Sequence, residues 1–159
     1  MRLSDKGTWS TSSGVLNVDT LDGTDNEAVL LATTPIDLAT LEAAVKFPTS
    51  SSTNRSGIVF AHDGNDVFHV VVLDRNAGKV ALHKVTSGSW GSVLASASQS
   101  ISDNTAYTLT LMVRPRRVDV FVDGALSFAH DFSAFAYPGQ GESGLYSDKT
   151  SVKYDDYRV

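Results

Sequence analysis

Apolar and polar side chains alternate along much of this chain with a period of two. Tyr107, Leu109, Leu111 and Val113 fall on one face of their segment, with Thr108, Thr110 and Met112 on the other. A β-strand places alternate residues on one face, whereas a helix brings together residues three and four apart. The pattern recurs at Val118, Val120 and Val122, with Arg117, Asp119 and Phe121 opposite, and at Ile58 and Phe60 within residues 56–61. Residues 67–73 are almost continuously apolar, interrupted by His69, which suits a strand covered on both faces in stacked sheets. In residues 37–44 the alanines and Glu42 favour helix, yet Leu41, Ala43, Val45 and Phe47 alternate and predict a strand.

Turn signals separate these runs. Asp74-Arg75-Asn76-Ala77-Gly78 leads into a returning strand through Val80, Leu82 and Val85, and Asp123-Gly124 leads into residues 125–129. Shorter strands are expected at residues 14–18, 28–32, 143–146 and 152–159. The sum is about ten or eleven strands spaced by roughly ten residues, which is the pattern of a sandwich. The expected fold is all-β: one antiparallel β-sandwich over residues 1–159, two stacked sheets, closed by pairing between the first and last strands.

Composition narrows the chemistry. The chain has 159 residues, 42% of them hydrophobic, enough to fill one core. Cysteine is absent, which excludes disulfides, zinc–thiolate sites, iron–sulfur clusters and thiol nucleophiles. No apolar run approaches the roughly 20 residues of a membrane helix, so no membrane insertion is expected. Residues 1–7 lack the apolar segment of a signal peptide, which fits a cytoplasmic chain or a domain cut from an exported one. The net charge is −5, and the one basic cluster, Arg114, Arg116 and Arg117, is split by Pro115 and reads as a solvated turn. No nucleic-acid partner is expected, because phosphate neutralisation needs clustered bases.

Catalytic signatures are sparse. Glu27, Glu42 and Glu142 are isolated, whereas glycoside hydrolysis needs two carboxylates flanking the scissile bond. Asp155 and Asp156 are strand neighbours, expected on opposite faces. No G-x-S-x-G, G-x-x-x-x-G-K-[ST] or H-E-x-x-H motif occurs.

Laid end to end, the strands resemble a known family. Trp9 with Gly14-Val15-Leu16 is similar to the opening of the concanavalin A-like lectin/glucanase superfamily, in its laminin-G-like and carbohydrate-binding-module jelly rolls. Val118-Asp119-Val120-Phe121-Val122-Asp123-Gly124 resembles their "vdG" hairpin, and Gly144-Leu145-Tyr146 with Asp155-Asp156-Tyr157-Arg158-Val159 resembles their closing strand. The resemblance implies a concanavalin A-like jelly roll that binds a polysaccharide or other glycan without cleaving it. It implies an extracellular or cell-surface setting, as an appendage of a larger multidomain enzyme or adhesin. A structural or protein-adhesion module is the alternative, followed by a glycan-cleaving enzyme of unusual site.

A glycan surface needs rings for sugar faces and planar hydrogen-bonding groups to orient them. The candidates are His69, His83, Arg55, Trp90, Phe121 and Tyr137. His69 breaks an apolar strand, and His83 stands on the next strand, where the two histidines are expected to share a face. Arg55 precedes a strand, Phe121 alternates opposite valines, and Trp90 and Tyr137 are expected in loops. Each has a structural reading beside the functional one: a buried imidazole for His69, core packing for Phe121, a cap on the sandwich for Trp90. Trp9 reads as a core residue. The family resemblance also points to a structural calcium ion held by Asp5, Asp25 and Asp156, with Asp22 and Asn26 nearby. Calcium takes six to eight oxygens, and the chain is rich in aspartate and loop carbonyls.

Overall fold

The computed structural model describes residues 2–21, 28–32, 38–49, 55–63, 65, 67–133, 141–148 and 151–159, with side chains from residue 6 onward. All regular elements among the described residues are strands: β1 (Arg2–Lys6), β2 (Thr8–Ser12), β3 (Val15–Thr20), β4 (Ala28–Leu31), β5 (Ala39–Lys46), β6 (Arg55–His62), β7 (Val67–Asp74), β8 (Lys79–Thr86), β9 (Ser89–Ser98), β10 (Ala106–Arg114), β11 (Arg117–Val122), β12 (Ala125–Asp131), β13 (Glu142–Ser147) and β14 (Lys153–Arg158). They form two antiparallel seven-stranded sheets. The first runs β1-β4-β13-β6-β7-β8-β9, the second β12-β11-β10-β5-β14-β3-β2.

The alternating faces meet between the sheets. Leu30, Ile58, Phe60, Leu82 and Leu145 of the first sheet pack against Leu41, Val45, Leu109, Leu111 and Val120 of the second, all essentially inaccessible to water. Tyr154 spans the gap: its hydroxyl donates a hydrogen bond to the Tyr146 carbonyl, and burial raises its pKa. Trp9 lies on the same cluster, its ring 5.7 Å from that of Tyr154. The two-sheet sandwich expected from the alternation is therefore present.

Several expectations change in detail. The strands β1, β2 and β9 have no counterpart in the alternation reading, and Trp90, expected in a loop, is the second residue of β9. The expected closure is present, since the first strand read from the sequence, β3, pairs with the last, β14; β14 also pairs with β5, while the additional strand β1 pairs with β4. Asp155 and Asp156 are both exposed, because a register irregularity, with Asp156 at φ 51°, interrupts the pairing of β14 with β5. The basic turn is more tied down than a solvated one: Arg114 and Arg117 both clamp the buried Asp119, at 2.6 and 2.7 Å. Asp123 and Gly124, at φ 51° and 78°, make the tight hairpin turn between β11 and β12.

The first sheet has a second apolar face. Val29, Leu31, Val59, Phe68, Val70, Val72, Val85 and Tyr146 point away from the core and are nonetheless buried, with Trp90 packed on them. That outward aromatic layer positions the site described next.

Candidate functional site

Arg55 opens β6 and is held from three directions. Its backbone N–H donates to Asp148 Oδ1 at 2.6 Å and its Nε–H donates to Asp148 Oδ2 at 2.8 Å. The Asp148 N–H returns a bond to the Arg55 carbonyl at 3.0 Å. These bonds continue the pairing of β13 with β6 past its last ladder pair, Ser147 with Ser56, whose hydroxyls also meet at 2.8 Å. The Arg55 guanidinium carbon then lies 4.0 Å from the centroid of the Trp90 ring, within the range of a cation–π contact.

Trp90 is itself pinned. His83 approaches at 4.8 Å and 71° and Tyr146 at 5.3 Å and 70°, both edge-to-face geometries. Trp90 thus neither caps an end of the sandwich nor offers a bare platform on the side that Arg55 covers. His83 Nδ1 sits 3.2 Å from the Gly91 carbonyl. Donation there requires the Nδ1–H tautomer and leaves Nε2 as an acceptor. Burial pushes the His83 pKa down, the Gly91 bond opposes that, and the nearby Arg55 and Lys79 lower it further. The imidazole is therefore neutral at neutral pH.

Burial pushes the Asp148 carboxyl up, against the Arg55 bonds that favour its ionised form. The pair keeps contact with water, with side-chain exposures of 28% for Arg55 and 10% for Asp148. Only Nε of the guanidinium is used by the protein among the described residues. The two terminal nitrogens keep their N–H donors in a fixed plane. A stacked and anchored guanidinium loses little freedom when it binds, which favours recognition of hydroxyl or carboxylate oxygens.

The structure thus brings together Arg55, His83 and Trp90 among the candidates. His69 does not join them. Asp74 stands opposite Lys79, which sets His69 opposite Lys84 and His83 opposite Val70, so the two histidines occupy opposite faces of their hairpin. His69 points inward, 5.6 Å from Phe60 and 5.2 Å from Phe132. Phe121 is half-buried on the outer face of the second sheet, across from Thr110 and Leu126 rather than in the core. Tyr137 and Asp25 lie outside the described residues, as does the side chain of Asp5. Asp156 is exposed, its N–H donating to Asp155 Oδ1 at 2.8 Å and its carboxylate 4.0 Å from Arg158. Among the described residues no three His, Asp or Glu side chains converge as metal ligands.

Asp148 and Tyr146 are functional neighbours that sequence reasoning missed. Asp148 lies 93 residues from Arg55, and nothing local marks it as an arginine partner. Two of the glutamates have other occupations. Glu42 accepts from Thr110 at 3.0 Å and faces Arg158 at 3.5 Å, and Glu142 stands 3.6 Å from His62.

No family model and no curated protein matches the chain by sequence. Solved structures do match. The carbohydrate-binding module CBM66 from Bacillus subtilis superposes with a TM-score of 0.80 at 17% identity, covering 97% of this chain and 91% of that one. Sheep galectin-11 covers 79% of this chain and 96% of its own, with a TM-score of 0.56 at 13% identity. The GH43 protein BlXynB from Bacillus licheniformis gives 0.64 at 17% identity over 94% of this chain, which corresponds to 34% of that protein. With two antiparallel sheets, no helix among the described residues and these neighbours, the chain has the fold of the concanavalin A-like jelly rolls.

Proposed function

We propose that this chain is a glycan-binding module whose binding surface centres on Arg55, Trp90 and His83. The observation that carries the reading is the Arg55 guanidinium, stacked on Trp90 and anchored through Nε to Asp148, with its terminal N–H groups unused among the described residues. Sugar hydroxyls accept from such a planar fork, and neutral His83 offers an acceptor for a sugar O–H. The neighbours named as a carbohydrate-binding module and a galectin support this reading at the level of fold. The match to about a third of BlXynB supports a place as one module of a larger protein; its non-catalytic role and extracellular setting are part of the proposal.

The test is a glycan array probed with wild type, Arg55→Ala and Trp90→Ala, with the hits followed by calorimetry. Hydrogen bonds to a charged group contribute about 1.5–3 kcal/mol, so loss of Arg55 should weaken binding roughly 10- to 100-fold. Arg55→Lys should fail to restore affinity, because an ammonium neither stacks flat nor bonds Asp148 through an Nε–H. Silence of the whole array, or equal binding by all variants, overturns the proposal. Release of reducing ends in long incubations would move the assignment to a glycan-cleaving enzyme.

Calcium belongs to the same proposal, with Asp5, Asp25 and Asp156 as its carboxylates. A cation selective for the folded state stabilises it by RT ln(1 + [L]/Kd), so the melting temperature rises with its concentration. Calcium should therefore raise Tm, EDTA should reverse the shift, and Asp156→Asn should shrink it. Identical melting with and without calcium removes the ion from the proposal. A protein-adhesion reading has one observation in its favour: Val93 and Leu94, at the free edge strand β9, are 40% and 38% exposed.

A further inference from the structure

The second sheet carries an unusual row on its outer face. Ser10 of β2 stands opposite Asn17 of β3, Asn17 opposite Lys153 of β14, Lys153 opposite Lys46 of β5, and Lys46 opposite Ala106 of β10. Directly opposed residues hold their Cβ atoms about 4.5–5.5 Å apart, and like charges there destabilise a sheet. Among the described residues no ion pair or hydrogen bond engages either ammonium group. Five arginines differ, since Arg55, Arg75, Arg114, Arg117 and Arg158 each meet a carboxylate, whereas Arg116 does not among the described residues. In a chain of net charge −5, two lysines set face to face with no ion pair among the described residues stand out.

The row also coincides with the open depressions of this face. One of about 420 Å³ lies among Ser10, Asn17, Asp19, Ser151 and Lys153. A second of about 270 Å³ adjoins it among Val15, Ala44, Lys46, Ala106, Lys153 and Asp155. A third of about 170 Å³ lies among Lys46, Phe47, Pro48, Asn104, Ser151 and Lys153. Lys153 borders all three. The walls are fixed by backbone bonds, Asn104 N–H to the Phe47 carbonyl at 3.0 Å and Ser151 N–H to the Val18 carbonyl at 2.7 Å. The nearby acids are occupied in part: Asp19 accepts from Ser10 at 2.9 Å and Asp155 from the Asp156 N–H at 2.8 Å.

We infer that this groove is a second binding surface, distinct from the Arg55 site, for an acidic polysaccharide whose carboxylates seat on Lys46 and Lys153. Hydroxyl and amide side chains along the row (Ser10, Asn17, Asn104, Ser151) match a hydroxyl-rich chain. The small side chains Ala44 and Ala106 leave the floor shallow enough for a ring to approach. A protein partner lacks an anchor here, because the exposed large apolar residues Leu38, Val93, Leu94, Leu126 and Val159 all lie off the groove.

The experiment is affinity electrophoresis through polygalacturonate, with the neutral glycan that best binds the Arg55 site run in parallel. Wild type should be retarded, and the Lys46→Gln/Lys153→Gln double variant should lose at least tenfold in affinity. Arg55→Ala should keep wild-type retardation, which separates this surface from the proposed module site. Retardation should weaken as salt rises. The double variant should melt no lower than wild type, since an opposed like-charge pair has been removed, so loss of binding is not loss of fold. No retardation of wild type, unchanged retardation of the double variant, or equal binding to poly-glutamate or single-stranded DNA overturns the inference.

Discussion

His69 sits 3% exposed among aromatic rings, its Nδ1 buried with no hydrogen-bond partner among the described residues. Burial, and secondarily Lys84 and His130, lower its pKa from 6.5 to about 4. The unfolded chain therefore takes up a proton in a range where the folded chain does not. The stability this residue contributes is complete above pH 6.5 and is lost as the pH falls toward 4. From pH 7 to pH 5 the loss should be about 2 kcal/mol. Urea titrations at the two pH values should show it, and His69→Phe should flatten the difference. An unchanged pH dependence in that variant would reassign the effect to His83, whose pKa is lowered as well. At this scale the sequence was uneven. An isolated histidine in an apolar run announces a buried imidazole, and a tryptophan among Gly and Ser announces little. The stacking of Arg55 on Trp90 joins residues on strands that are not neighbours in the sheet, and no local pattern encodes that meeting.

Elements inherit their faces from register. Alternation located β6, β8, β10 and β11, and an almost continuous apolar run located β7, both of whose faces are buried. It missed β9, an edge strand whose ladder with β8 shifts twice and whose residues are mostly small or polar. It also misjudged the histidine pair, since a turn one residue longer or shorter would have reversed their relation. Close approach decides other positions. A Cβ added at Gly57 would stand 1.9 Å from the Val71 carbonyl oxygen, and one added at Gly144 would stand 1.9 Å from that of Leu30. No rotamer relieves a collision with backbone, so Gly57→Ala should cost about 3 kcal/mol or more and lower the urea midpoint sharply. Tyr154→Phe tests the bond between the sheets. It removes that buried hydrogen bond, with an expected loss of about 1 kcal/mol and little change in m-value.

At the scale of the molecule, the fold class was readable because two covered sheets demand many short alternating strands, and the chain provides them. The order of those strands was not, since long-range pairing leaves no mark on local composition. Nor does the fold choose a ligand, because jelly rolls host unrelated activities. The central place of β14 yields a prediction here. Removing residues 153–158 would bare the facing edges of β5 and β3 and withdraw Tyr154 from the core. The truncated chain should lose near-ultraviolet ellipticity and become protease-sensitive as a whole rather than locally.

The position of β14 also sets a timetable for synthesis. A ribosome delivers β3 and β5 long before the strand that separates them, so the nascent second sheet emerges with a gap at its centre. Until β14 itself clears the exit tunnel, two unsatisfied strand edges are available to any neighbouring polypeptide. Crowded expression should therefore favour inclusion bodies, and slower translation at lower temperature should relieve them.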